Sequence, residues 1–136
     1  MQDLSGFTVP KGFRGANALK VQLWWAVQAT LFAGSAVLYT LGEINIGAHA
    51  VISQKGYLCT GSHDYTSAHF DINAAPIVIG EKCWLATDVF VAPGVTIGHG
   101  TVVGARSSVF KSLPANAICR GNPAVVTRQR VQKVTP

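Results

Sequence analysis

Four histidines and three cysteines are the residues whose types could move a proton, hold a metal or attack a carbon. Two of the histidines, His63 and His69, fall in one polar stretch that runs from Gly61-Ser62-His63-Asp64-Tyr65 to Ala75-Pro76. An imidazole titrates at roughly pH 6.5, so near neutrality it can take a proton from a hydroxyl and give it back. A catalytic zinc usually needs three protein donors. His63 and His69 do not make such a set, so no metal is expected. Cys59, Cys83 and Cys119 are too few and odd in number for a disulfide scaffold. Cys59, close to His63, reads as a packing thiol.

These residues must be positioned by whatever the rest of the chain builds. From Ile46 an aliphatic residue recurs every six positions, at Ile46, Ile52 and Leu58. After one break of phase it resumes at Ile79, Leu85, Val91, Ile97, Val103 and Val109. The next residue is small at Gly47, Ser53, Cys59, Gly80, Ala86, Ala92, Gly98 and Gly104; only Phe110 departs. A period of six is neither the 3.6 of a helix nor the simple alternation of a long strand. It fits short strands joined by tight corners, each delivering one aliphatic inward, with three sides to a coil. Such coils stack at about 4.8 Å, the ordinary strand spacing. The expected fold is an all-β solenoid, a parallel β-helix of hexapeptide repeats over residues 37–120, with the polar break as an excursion loop at 61–76. The nine hexads counted this way make three full coils. His49 and His99 occupy non-aliphatic places in the hexads and are expected to face solvent.

Two helices are expected to flank the solenoid. Asn17 to Phe32 has roughly helical apolar spacing, with Asn17 as a cap, inside an N-terminal arm and linker that fill residues 1–36. Gly121-Asn122-Pro123 reads as the start of a short C-terminal helix over Ala124 to Val134, in a tail that fills 121–136. Between arm and solenoid, Ala33-Gly34-Ser35-Ala36 reads as a linker or an engineered junction, with an ordinary natural loop as the alternative.

Composition bounds the function. In 136 residues, 49% are hydrophobic and only 12% charged, against a usual charged share of roughly 25%. That excludes a disordered chain. The net charge is +5, with the excess late in the chain at Arg106, Lys111, Arg120, Arg128, Arg130 and Lys133. This excess suits a phosphate-bearing ligand or a plain solvated surface. No basic stripe is interleaved with aromatics, so nucleic acid is not the expected partner. The apolar stretch Val21 to Ala33 is too short to span a bilayer, and the N-terminus does not read as a signal peptide. A cytoplasmic location is expected.

Several segments resemble the hexapeptide-repeat acyltransferases, particularly the sugar O-acetyltransferases of the maltose acetyltransferase type. They are Leu58-Cys59-Thr60-Gly61-Ser62-His63-Asp64, Ile79-Gly80-Glu81-Lys82-Cys83-Trp84-Leu85-Ala86-Thr87 and Pro93-Gly94-Val95-Thr96-Ile97-Gly98. Val103-Gly104-Ala105-Arg106-Ser107-Ser108-Val109 and Gly121-Asn122-Pro123-Ala124 continue the match. Asp3-Leu4-Ser5-Gly6-Phe7 and Lys20-Val21-Gln22-Leu23-Trp24-Trp25 resemble more narrowly the colanic acid biosynthesis acetyltransferase group. The resemblance implies a left-handed β-helix, a homotrimer with its active site between subunits, and transfer of acetyl from acetyl-CoA to a sugar hydroxyl in polysaccharide biosynthesis. It implies that His63 is the general base; His69, in the same excursion, is placed to line the acceptor site. It also implies that Trp84, Ala86, Thr87, Ala105, Phe110, Lys111 and Arg128 line the cofactor groove. Thr87 and Ala105 are eighteen residues apart, so coil arithmetic stacks one above the other. The γ-type carbonic anhydrases share the solenoid, but His63 and His69 do not reproduce the spacing of their zinc ligands.

Three departures stand out. Phe110 replaces a threonine common in the family, and Val125 replaces an arginine. The region around Gly34-Ser35-Ala36 stands where relatives carry further coils and, on the acceptor side, an Asn. The alternative is therefore a shortened, catalytically impaired trimeric scaffold derived from such an enzyme. An amine acceptor is a third reading, since the same base would serve.

Overall fold

The computed structural model describes residues 21–23, 31–32 and 35–134. The nine aliphatics of the six-residue register are each at most 1% exposed, and they lie in one hydrophobic core. Full burial of such a side chain contributes about 1.5–3 kcal/mol, so the register fixes which way every short strand faces. Each side also turns inward the residue two places earlier, as in Ala50, Cys83, Val89 and Val95, all buried.

The chain winds through three faces. The first coil is β1 (Val21–Leu23), β2 (Leu31–Phe32) and β3 (Val37–Tyr39). The second is β4 (Ile44–Ile46), β5 (Val51–Ile52) and β6 (Tyr57–Cys59). A hairpin of β7 (Gly61–His63) and β8 (Ile72–Ala74) leaves here. The third coil is β9 (Ile77–Ile79), β10 (Trp84–Leu85) and β11 (Phe90–Val91). The fourth is β12 (Thr96–Ile97), β13 (Val102–Val103) and β14 (Ser108–Val109), followed by β15 (Ala117–Gly121) and β16 (Ala124–Gln129). Face I stacks β1, β4, β9 and β12; face II stacks β2, β5, β10, β13 and β15; face III stacks β3, β6, β11 and β14. All these pairings are parallel. A bridge from Ile97 to Leu113 opens a fifth coil, which β15 continues. The described strands therefore make more than the three coils counted from the hexads.

Corners are as regular as sides. The third residue after seven of the nine buried aliphatics takes a positive φ, at His49, Lys55, Lys82, Asp88, Gly94, Gly100 and Arg106, as does Asn116 after Leu113; Leu58 and Val109, which lead to the edge between faces III and I, are the exceptions. This is the left-handed position that a type II turn demands. Stacked turns then bond to one another: the N–H of Lys82 donates to Ala48 O, that of Gly100 to Glu81 O, and that of Asn116 to His99 O. At the corner from face I to face II the coils nearly touch. A Cβ on Gly80 would lie 2.5 Å from the His99 nitrogen, which explains glycine there.

The buried polar side chains among the described residues are all hydroxyls, Thr40, Thr60, Thr101 and Ser107. Thr101 Oγ1 donates to Pro114 O and accepts from the Ala117 N–H (3.2 Å), while Ser107 Oγ accepts from the Gly121 N–H (3.1 Å). Thr101 and Ser107 thus satisfy backbone groups of the last coil, which follows the regular repeat.

Both flanking helices need correction; among the described residues there is no helix. Within the stretch expected to be helical from Asn17 to Phe32, Val21–Leu23 and Leu31–Phe32 are strands β1 and β2, and the remainder lies outside the described residues. The sequence Val21-Gln22-Leu23 also alternates with period two, and β4 offers it a ladder, Val21 opposite Ile44 and Leu23 opposite Ile46. The expected C-terminal helix over Ala124 to Val134 is also a strand. Residues Ala124–Gln129 form β16, which folds back antiparallel on β15. The parallel stack left an open edge at β15, and pairing that edge outweighed the weak helix signal of Asn122-Pro123.

Candidate active site

His63 ends β7 and is exposed. Its hairpin leaves from the edge between faces III and I, and stacking resumes beyond it with Ile46 opposite Ile79. Thr60 anchors the departure. It is fully buried; its Oγ1 donates to Tyr39 O (2.7 Å) and accepts from the Gly42 N–H (2.8 Å). Its carbonyl accepts the Ala75 N–H at 3.0 Å, so both ends of the hairpin are tied to one residue. Across the hairpin Gly61 pairs with Ala74, Ser62 with Asn73, and His63 with Ile72. His63 Nδ1 lies 2.6 Å from the Phe70 carbonyl oxygen. A carbonyl only accepts, so Nδ1 carries a proton, and in the neutral imidazole the lone pair is left on Nε2.

The other candidates lie elsewhere on the prism. Trp84, in β10 on face II, is 47% exposed, and its Nε1 donates to Ser53 Oγ at 3.0 Å. Ala86 is buried and Thr87 half-buried at the next corner, where the Thr87 carbonyl accepts the Arg106 N–H (2.8 Å). Ala105, beside Arg106, is exposed in the coil above. The strands before these corners, Trp84-Leu85 and Val102-Val103, pair eighteen residues apart, as the coil arithmetic expects. Arg128 is exposed in β16, opposite Ile118 at the end of face II. Phe110 and Lys111, both exposed, follow β14 on the same edge as the His63 hairpin. The Phe110 ring lies 5.8 Å from that of Phe90, which stacks 5.9 Å from Tyr57.

In one chain, therefore, Trp84, Ala86, Thr87 and Ala105 gather at the edge between faces II and III. Phe110, Lys111 and the His63 hairpin share another edge. A triangular prism sets each edge opposite a face, and Trp84's face is the one opposite the His63 edge. His69 is exposed in the hairpin loop, and His49 and His99 are exposed as expected. Burial pushes the Cys83 and Cys119 thiols up, away from the thiolate that a nucleophile needs. Among the described residues no group of three or more His, Cys, Asp or Glu could hold a metal ion.

Sequence reasoning missed three partners. Ser53 steadies Trp84 from the coil below. Arg130 donates to Lys82 O (3.1 Å) and Gly100 O (2.7 Å), clasping two stacked corners. The Phe70 carbonyl holds His63. The last is a backbone atom and leaves no signature in residue type.

A family model described as "Bacterial transferase hexapeptide (six repeats)" matches residues 76–111. The Escherichia coli (strain K12) protein named "Putative colanic acid biosynthesis acetyltransferase WcaF" is 62% identical over 180 positions, covering 97% of this chain and 99% of that protein. The chain belongs to the hexapeptide-repeat acyltransferases. With that membership goes the left-handed sense of the β-helix. The maltose O-acetyltransferase of Clostridium difficile 630 superposes with a TM-score of 0.81 at 24% identity, covering 90% of this chain. The present chain spans 65% of that solved chain's length. AntD, an N-acyltransferase of Bacillus cereus solved with dTDP and 3-hydroxybutyryl-CoA, superposes with a TM-score of 0.70 at 21% identity, over 76% of this chain and 61% of AntD. Against WcaF, this hexapeptide-repeat acyltransferase lacks positions, since 180 aligned positions meet a chain of 136 residues.

Proposed function

We propose that this chain transfers an acetyl group from acetyl-CoA to a sugar hydroxyl in polysaccharide biosynthesis, as a cytoplasmic homotrimer. The observation that carries the reading is the Nδ1 bond of His63 to the Phe70 carbonyl, which leaves Nε2 as an exposed base. The 62% identity to WcaF supports the acetyl donor and the polysaccharide setting. The placement of Trp84 and His63 on opposite sides of one prism supports a site shared between neighbouring subunits. Among the described residues no helix is long and apolar enough to cross a membrane.

Acetyl-CoA supplies the thioester. His63 Nε2 takes the proton of the sugar hydroxyl as its oxygen attacks the thioester carbon. As the carbon–sulfur bond breaks, the His63 imidazolium returns that proton to the departing thiolate. Backbone N–H groups at the corners would stabilise the negative oxygen. The half-exposed face of Trp84, held by Ser53, flanks the cofactor beside Ala86. Thr87 and Ala105 offer stacked backbone to its extended arm. Phe110 lies toward the adenine, and the cations Lys111 and Arg128 toward the phosphates.

The test is thiol release from acetyl-CoA with a panel of glycosides and amino sugars. His63→Ala is expected to lower kcat by about 10²- to 10⁴-fold with CoA binding kept. An unchanged kcat would overturn the assignment of the base. The second reading, an impaired scaffold, is favoured by the positions this chain lacks against WcaF; it predicts CoA binding without thiol release for any acceptor.

A further inference from the structure

The loop that joins β7 to β8, residues 64–71, carries an arrangement that the acetyl-transfer scheme does not use. Phe70, whose carbonyl holds His63, has a φ of +50°. For a bulky residue that conformation costs about 1 kcal/mol or more, so the surrounding bonds must impose it. Both neighbours of Phe70 are tied to one hydroxyl. Ser67 Oγ donates to Asp71 Oδ2 at 2.6 Å and accepts from the His69 N–H at 3.4 Å. The Ser67 carbonyl accepts the N–H of Phe70 itself at 3.2 Å. At the mouth of the loop the Asp64 N–H donates to the Asp71 carbonyl at 2.8 Å, and the Ser67 N–H to the Asp64 carbonyl at 3.2 Å. Ser67 thus bonds to the residue before Phe70, to Phe70 and to the residue after it.

We propose that Ser67 is a positioning residue for His63, clamping His69 and Asp71 so that the Phe70 carbonyl holds the imidazole proton on Nδ1. The consequence is chemical. If the Phe70 peptide turns away, the neutral imidazole is free to carry its proton on either nitrogen. The Nε2–H form cannot accept a proton from a hydroxyl at Nε2. Asp71 serves as the fixed end of the clamp, and its required part is an acceptor oxygen rather than a charge. Ser67 touches neither of the reacting groups and acts only through the loop.

The proposal rests on His63 as the base, but its principal readout does not. Nitrogen-15 imidazole shifts of the full-length protein report which ring nitrogen of His63 carries the proton, with or without turnover. The wild-type chain is expected to show the Nδ1–H form. Ser67→Ala and Asp71→Ala are expected to show mixed tautomers and to lower kcat about tenfold at unchanged KM for acetyl-CoA. Ser67→Thr and Asp71→Asn keep the hydroxyl and the acceptor oxygen, and are expected to restore the Nδ1–H form. A pure Nδ1–H signal in Ser67→Ala, whose thermal unfolding should match wild type because the loop lies outside the core, would overturn the proposal. So would mixed tautomers in the wild-type chain. A tautomer shift in Ser67→Ala, together with full activity in His63→Ala, would uphold the clamp while removing the base assignment.

Discussion

Leu58 is fully buried, and His63, a few residues on, is exposed; the β-helix and the hairpin that leaves it are held by different forces. In the β-helix each side is fixed by one aliphatic in a common core and by parallel ladders above and below. In the hairpin β8 shows no buried residue, and the loop is shaped by Asp64, Thr66, Ser67 and Asp71 bonding to one another and to backbone. Burial gives a frame that tolerates little change of volume. Local polar bonds give a small, adjustable surface on which a proton-transfer group can be aimed. The two parts meet at Thr60, which belongs to both.

The sharpest way to separate them is to damage the frame alone. Leu85 is fully buried between Ile52 and Val103 in the ladder of face II. Leu85→Ala is expected to cost about 3 kcal/mol of unfolding free energy, read by denaturant titration at fixed protein concentration. The hairpin resonances of the molecules that stay folded should not move. A loss under about 1 kcal/mol would mean that the coils close over the cavity, which the stacked corners argue against.

Thr60→Val tests the joint. The valine keeps the volume but leaves the Gly42 N–H without its Oγ1 partner and removes the side-chain bond to Tyr39 O. A cost of about 1–2 kcal/mol is expected, smaller than for the core. Exchange of the Ala75 amide, which bonds the Thr60 carbonyl, should quicken more than that of Ile97 in the core. Equal acceleration at both sites would show that the hairpin and the β-helix open as one unit.

The same contrast decides what was legible in the sequence. A buried aliphatic every sixth residue is a property of residue type, so the nine positions and the stacking of Thr87 toward Ala105 could be read directly. Strands at the margins could not. Val21–Leu23 and Ala124–Gln129 become strands because β4 and β15 offer them edges, and an edge is a tertiary fact. His63 was visible as a histidine in a polar break, but its orientation was not. It depends on a Phe70 carbonyl and a left-handed φ that only the closed loop creates. The separation of Trp84 from His63 was legible only once the break was known to leave from an edge.

The smallest expected effect concerns charge, and it again divides the two regions. The Asp64 carboxylate accepts from the Thr66 hydroxyl (2.6 Å) and N–H (2.8 Å), and these bonds hold its carboxyl below the ordinary value of 3.8. Hydrogen bonds that favour the charged form stabilise the folded loop above the ordinary Asp pKa. That contribution is lost as pH falls through the lower, folded value. The Thr66 amide resonance should therefore titrate with a midpoint below 3.8. Asp64→Asn, which keeps an acceptor oxygen for Thr66, should flatten that titration. The buried polar groups of the β-helix are hydroxyls that do not ionise in this range, so the Ile97 amide should stay still as the loop responds. A midpoint at or above 3.8 would show that the Thr66 bonds do not favour the charged carboxylate. A shared midpoint at Thr66 and Ile97 would show that acid opens the frame and the loop together, against the division drawn from their construction.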